Sequence, residues 1–408
     1  MKLLFINTLY HPNHVGGAEK STQLLAEGLR DAGHEVAVIT CDRTPGTRVA
    51  EVNGVTVYCV GLKNFYWPYS AGRPGRVMRA AWHAVDSYNP LMAATVGGIL
   101  QQEKPDAVST QNLTGFSCSV WRVAKGRGVP LYHTLRDYSL MCPKASMFRA
   151  GRACPEQCRL CRIYTSPSKR LSVHVDGVVG ISRYILETHL RAGYFASVGS
   201  RRVIHNAVSL PRHRPFSVGP RGGPLRLGFM GQLTPEKGVG RLVDAMQNWP
   251  ASRCRLVVAG RGSPAYERDL RRRAPENVQF LGFVNAAQLF GEIDVLVVPS
   301  IWPEPFGRIV IEAYAHGVPV IASDCGGLPE LVEHGRTGIL YSSANPVGLE
   351  RAIATFLDEP RLLDEVGSLA RDKASHYALD RHISDYGEFF KCKAPSRDRA
   401  TNALAYKQ

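Results

Sequence analysis

Short runs of consecutive apolar residues recur along the chain, each closed by a turn and most followed by apolar positions at helical spacing. In the first half they are Lys2–Thr8, Glu35–Thr40, Val55–Val60, Asp106–Thr110, Pro130–Leu135 and Val175–Ile181. In the second half they are Leu225–Met230, Arg255–Gly260, Val278–Val284 and Asp294–Pro299. Runs of this length, rich in β-branched residues and without polar alternation, predict strands buried on both faces. Between them, Leu24, Leu25 and Leu29 ahead of Gly33, the stretch Phe116–Gly126, and Ile309, Val310, Ala313 and Tyr314 ahead of Gly317 carry the helical period. Strands alternating with helices predict parallel sheets with helices on their faces. The pattern breaks at Pro211–Pro224, which holds Pro211, Pro215, Pro220, Pro224 and three glycines, and 408 residues exceed what one core organises. The expectation is an α/β chain of two facing Rossmann-like domains. A first domain at 1–208 carries an irregular insertion at 137–164. A linker at 209–224, a second domain at 225–376, a closing helix at 377–391 and a basic tail at 392–408 follow. Ligand is expected in the cleft, at the carboxyl ends of the strands.

Composition adds a compartment and a surface. No apolar run approaches the roughly 18 residues needed to cross a bilayer, and the apolar start reads as a first strand, which predicts a cytoplasmic protein. The net charge of +15 is uneven: residues 1–220 hold 27 Lys+Arg against 13 Asp+Glu, or +14, and the remaining 23 against 22 give +1. A basic first domain suits an anionic membrane surface, a lipid-linked phosphate or nucleic acid. Phe65, Tyr66, Trp67 and Tyr69, beside Arg73, Arg76 and Arg79, fit either insertion at a membrane interface or a packed loop. Ten cysteines at irregular spacing argue against a disulfide scaffold. Four of them, Cys142, Cys154, Cys158 and Cys161, are spaced closely enough to close on one structural zinc ion, with free thiols as the alternative.

The chemistry gathers after the strand Asp294–Pro299. A Pro- and Gly-rich turn leads into the helix beginning at Gly307, so the backbone N–H groups of Phe306, Gly307, Arg308 and Ile309 stand at a helix N-terminus, where an anion is favoured. Glu304 and Glu312 bracket that turn and are better acceptors for sugar hydroxyls than partners for phosphate. Gly16 and Gly17 open the first helix, and the loop Gly231–Gly238 carries Lys237. The first of these is weak alone, because glycine-rich strand-to-helix turns occur in all nucleotide folds.

The segment Glu304-Pro-Phe-Gly-Arg-Ile-Val-Ile-Glu312, followed by Gly317-Val-Pro-Val-Ile-Ala and Gly326-Gly327, resembles the Glu-x7-Glu motif of the retaining, nucleotide-sugar-dependent glycosyltransferases of family 4, which have the GT-B fold. The resemblance implies that Glu304 contacts the donor sugar, Glu312 holds the ribose and the backbone of Phe306–Ile309 meets the diphosphate. It implies that Lys237 assists the leaving group, that Gly16 and Gly17 face the donor phosphate, that Gly260 lies near base and ribose, and that the closing helix returns to the first domain. Two positions depart from the family. Gln232 stands where an Arg is usual, which leaves Arg308 as a possible substitute. Arg136 stands where many relatives carry the His of a His-Asp pair near the reacting sugar, so His133, Arg136 and Asp137 are all candidates there. The implied activity is transfer of a sugar to an acceptor hydroxyl with retention and without a catalytic cofactor. The acceptor would be a saccharide or lipid-linked glycan at the inner face of the membrane. A nucleotide-sugar epimerase and a binding protein without transfer activity remain alternatives. A nucleic-acid binder would leave the two Rossmann halves unexplained, so no nucleic acid is expected.

Overall fold

Consecutive Val, Ile and Leu with few charges can be buried only in strands covered on both faces, and that is where the chain puts them. In a computed structural model, residues 1–13, 16–70, 72, 74–210, 223–345 and 347–391 are described. The proline-rich expectation at 211–222, Arg73 and the tail from 392 lie outside them. The first half forms β1 (Lys2–Ile6), β2 (Glu35–Asp42), β3 (Thr47–Val52), β4 (Val55–Gly61), β5 (Ala107–Thr110), β6 (Leu131–Leu135), a small hairpin of β7 (Phe148–Arg149) and β8 (Arg152–Ala153), then β9 (Gly177–Gly180) and β10 (Ser200–Val203). Apart from the hairpin these make one eight-stranded sheet in the order β10-β9-β6-β5-β1-β2-β4-β3, parallel except where β3 pairs antiparallel with β4.

The second half forms β11 (Leu225–Met230), β12 (Cys254–Ala259), β13 (Val278–Gly282), β14 (Val295–Val298), β15 (Val320–Ser323) and β16 (Gly338–Tyr341). Their order is β13-β12-β11-β14-β15-β16, and all five pairings are parallel. In each sheet the chain runs outward from a central strand and then restarts on the other side of it. The restart falls between β1 and β5 in the first sheet and between β11 and β14 in the second. At such a point neighbouring strand-to-helix loops diverge and leave a crevice. Gly16–Gly17 follows β1, Gly231–Gly238 follows β11, and the Glu304 turn follows β14, so the sequence motifs all lie at the two crevices.

The last described helix, Leu379–Lys391, packs on the first sheet although it follows the second domain in sequence. Phe389 and Phe390 lie edge-on to Tyr132 of β6, and the Tyr132 hydroxyl donates to the Phe390 carbonyl at 3.1 Å. Tyr386 is fully buried, with its hydroxyl 3.2 Å from that of Thr134. The chain therefore crosses between domains twice, and the second crossing is pinned beside the first by the Val208 N–H on the Tyr377 carbonyl at 2.9 Å.

Candidate active site

Lys237 comes to the cleft because Gly238 lets it. Gly238 has φ +72°, and a Cβ there would fall 1.8 Å from the Pro299 carbonyl oxygen, so only glycine lets the loop after β11 lie on the end of β14. The two loops are then fastened by the Ile301 and Trp302 N–H groups, both on the Glu236 carbonyl, at 3.0 and 3.1 Å. The Lys237 ammonium reaches Glu304 Oε1 at 2.7 Å and sits 4.5 Å from the centre of the Trp302 ring. Glu304 is buried and Lys237 partly so, so the pair feels less screening than a surface ion pair. The Glu304 carbonyl accepts from Gly327 N–H at 2.7 Å, which fixes the turn from behind.

The turn ends at Gly307, which has φ +101° and begins the helix Arg308–Ala315 with no side chain capping it. The first N–H groups of that helix, at Arg308 and Ile309, are consequently open to an anion. Arg308 donates through Nε to Glu312 at 2.7 Å and through Nη1 to Ser21 Oγ of the first domain at 3.0 Å. Gly17 lies against it: a Cβ there would meet the Arg308 Cδ at 3.3 Å. Phe306 turns inward onto His205 and Tyr377, so only its backbone can serve a ligand. Gln232 is exposed. Gly260, at φ +142°, lies with its Cα face against the Gly231 carbonyl and holds the β11 and β12 loops together.

The first domain's side of the cleft is set by the segment after β6. Arg136 is buried and donates to Gln111 Oε1 at 2.8 Å and Asn206 Oδ1 at 2.7 Å. Tyr138 donates its hydroxyl to the Pro303 carbonyl at 2.6 Å, and Ser182 donates to the Pro305 carbonyl at 2.5 Å. Glu330 reaches back from the second domain to accept from the Arg183 and Tyr184 N–H groups at 2.7 and 2.6 Å. The Glu304 turn is thus gripped on both sides by first-domain donors.

Two expectations need correction, at His133 and at the cysteine cluster. His133 is not at the cleft: it is stacked on Phe195 and edge-on to Trp121, with Nδ1 2.8 Å from Thr110 Oγ1, inside the first domain. Burial pushes its imidazole down to about 3, with smaller contributions from His189 and Arg136. Asp137 has both carboxylate oxygens engaged, by Ser139 N–H at 2.7 Å and the Asn112 amide at 2.8 Å, and shapes the turn after β6. Among the described residues no group of three or more His, Cys, Asp or Glu is arranged to hold a metal ion. Cys142 is buried in the core while Cys158 is exposed at a helix start; Cys161 lies beside both, and its thiol is raised by burial first and then by Cys142. Cys154 also lies near Cys142 and Cys158, so the four cysteines are neighbours as the spacing suggested, but not in the arrangement of a metal-ligand set. Sequence reasoning also passed over Gly16's cap, in which its N–H donates to Glu19 Oε2 at 2.9 Å, and the part of Trp302 under Lys237. An aromatic two residues before Glu304 was the one available signal for Trp302.

Two six- to eight-stranded parallel α/β sheets, facing each other with their crevices and the anion-attracting helix end between them, define the GT-B class of two-domain transferases. Residues 224–359 match the family model for glycosyl transferases group 1, and residues 16–207 match the glycosyl transferase 4-like domain. A 42.6 kDa protein in the cps region of Klebsiella pneumoniae is 33% identical over 332 residues, covering 81% of this chain and 87% of that one. Among solved structures, sucrose-phosphate synthase from Thermosynechococcus elongatus superimposes with a TM-score of 0.74 at 21% identity, covering 96% of this chain and 98% of its own. HepE of Anabaena, solved in complex with UDP and glucose, superimposes at 0.69 and 21% identity, covering 96% of this chain and all (100%) of its own. The chain belongs to the group 1 glycosyltransferases of GT-B fold.

Proposed function

We propose that the protein transfers a sugar from a nucleotide diphosphate donor to an acceptor hydroxyl with retention of configuration, in the synthesis of a surface polysaccharide or lipid-linked glycan. The observation that carries this reading is the convergence, at one topological switch point, of the Lys237–Glu304 pair with the uncapped helix start at Gly307. As the glycosidic bond breaks, negative charge grows on the leaving diphosphate. A helix N-terminus and an ammonium already in place stabilise that charge more in the transition state than in the ground state. Glu304, held by Lys237, orients the sugar; Glu312, held by Arg308, accepts from the ribose. Arg308 bridges Glu312 to Ser21, so it supplies a positive charge at the diphosphate position where Gln232 supplies none. No cofactor enters this scheme.

HepE holds UDP and glucose, which makes UDP-sugars the first donors to test. Melting the protein with UDP, GDP, ADP and their hexose conjugates should give a rise for one base only, since a ligand at about 100 times its Kd adds about 2.7 kcal/mol to the folded state. No rise with any nucleoside diphosphate would end this reading.

The acceptor is proposed to arrive on the inner membrane face, where a cytoplasmic enzyme would dock peripherally. No helix among the described residues is long and apolar enough to cross a membrane. Support for docking comes from the helices Arg76–Ser87 and Arg159–Tyr164, which pack on each other and leave apolar side chains in solvent. Val77 is 84% exposed, Leu160 64% and Ile163 67%, with Phe65 at 60% close in sequence, and Arg76, Arg79, Arg159 and Arg162 are exposed among them. Apolar residues at headgroup depth among arginines are the pattern of an interfacial surface. In flotation, the protein should rise with phosphatidylglycerol vesicles and not with phosphatidylcholine alone, and V77D combined with I163D should abolish it. Equal capture by neutral vesicles, or none by either, would count against docking.

A further inference from the structure

Among the described residues, Arg136 at the cleft side of the first sheet forms no ion pair with a carboxylate. Lys237 pairs with Glu304 and Arg308 with Glu312, each at 2.7 Å. Arg136 is 6% exposed, its Nε and Nη1 are spent on the neutral amides of Gln111 and Asn206, and its Nη2 is buried with no hydrogen-bond partner. Burial disfavours its charge most, with Arg308 adding to it, while Tyr386 and the carboxylates of Glu19 and Asp137 favour it from beyond ion-pair distance. A buried guanidinium with an unpaired donor is destabilising, whereas a neutral side chain of similar size would not be. A ligand that brings an acceptor to Nη2 accounts for a buried donor left open in this way.

Its position says which part of a ligand it meets. Arg136 follows β6 directly, at the carboxyl edge of the first sheet. Tyr138, two residues on, donates to the Pro303 carbonyl, and Asn206, which Arg136 holds, is next to His205, whose ring centre lies 5.6 Å from that of Phe306. Arg136 is therefore bracketed by contacts to residues on either side of Glu304. A diphosphate already has Lys237, Arg308 and the helix start of the second domain. What one remaining guanidinium with one free edge matches is a single carboxylate, accepted in a charge-assisted, planar contact.

Resting on the donor reading above, we propose that Arg136 selects a donor whose sugar carries a carboxylate, a nucleotide-linked hexuronate. Calorimetric titration with UDP, UDP-glucose, UDP-glucuronate and UDP-galacturonate tests it on wild type, R136Q and R136K, each first shown to melt cooperatively. Wild type should bind one uronate at least tenfold more tightly than UDP-glucose, R136Q should lose that preference, and R136K should keep part of it. Uronates bound no better than UDP-glucose by wild type would overturn the inference while leaving the donor reading intact. So would R136Q weakening UDP, UDP-glucose and the uronates by one common factor, because Arg136 would then serve the diphosphate. Failure of UDP and its sugars alike, with GDP and ADP also silent, would remove the donor reading and this inference with it.

Discussion

Replacing Lys237 by alanine is expected to lower kcat by roughly 100- to 1000-fold, the usual loss when one preorganised donor to a developing anion is removed. The effect should fall on kcat more than on KM, because the charge it meets is larger in the transition state than in the bound donor. Gln232 offers no second charge from the same loop, so nothing on that side compensates. The same change also strands Glu304, whose side chain is only 9% exposed. Breaking a partly buried pair by removing one member leaves the other uncompensated, and a stability loss of about 1–3 kcal/mol is expected for K237A. The double variant K237A/E304Q removes that stranded charge and should regain most of the stability while remaining as inactive as K237A. This split separates chemistry from folding: a K237A enzyme with wild-type turnover would refute the role of Lys237, and a double variant that recovers turnover along with stability would show the pair to be structural.

The residues of this prediction were readable in the sequence because their signals are local. A buried strand, a glycine that must turn and a helix that must start lie within a few residues of Glu304 and again of Lys237, and strand-to-helix geometry then dictates an exposed amide cluster. His133 was misplaced for the opposite reason. All five residues of β6 are buried, so no alternation distinguishes a side chain facing the core helices from one at the strand's open end. Arg136, one residue past the strand, is at that end. The edge strand β3 escaped notice because Thr47–Val52 is almost wholly exposed and carries no buried face to leave a pattern. The contacts of Tyr138, Ser182 and Glu330 with the opposite domain span more than a hundred residues of sequence, and no periodicity encodes them. The cysteine spacing permitted a metal, but spacing does not fix burial, which runs from buried Cys142 to exposed Cys158.

Lowering the pH from 6 to 5 should cost the fold about 3 kcal/mol, from a net uptake of two protons on unfolding at about 1.4 kcal/mol per proton per pH unit. Burial holds His133 and His382 down to about 3 and His189 down to about 4. In the unfolded chain all three titrate near 6.5. Below that value the unfolded state binds three protons that the folded state refuses, so stability is present at neutral pH and lost as pH falls toward 4. Asp86 works against them: burial, only partly offset by Gly115 N–H, raises its carboxyl to about 7, so between about 7 and 4 the folded chain keeps a proton that the unfolded chain releases. Three less one gives the net two. His34 and His83, also lowered chiefly by burial, add in the same direction as the other histidines, and Asp137, raised by burial, acts with Asp86 against them. Urea unfolding at pH 7, 6 and 5 measures the slope directly. The His382 Nδ1 lies 2.7 Å from the His205 carbonyl, so H382Q keeps a donor for that carbonyl while removing one titrating ring, and it should halve the net slope from two protons to one. Stability that stays flat between pH 7 and 5 would mean that these rings reach water before the fold is lost, and that the closing helix, which carries His382 into the first domain, opens locally ahead of global unfolding.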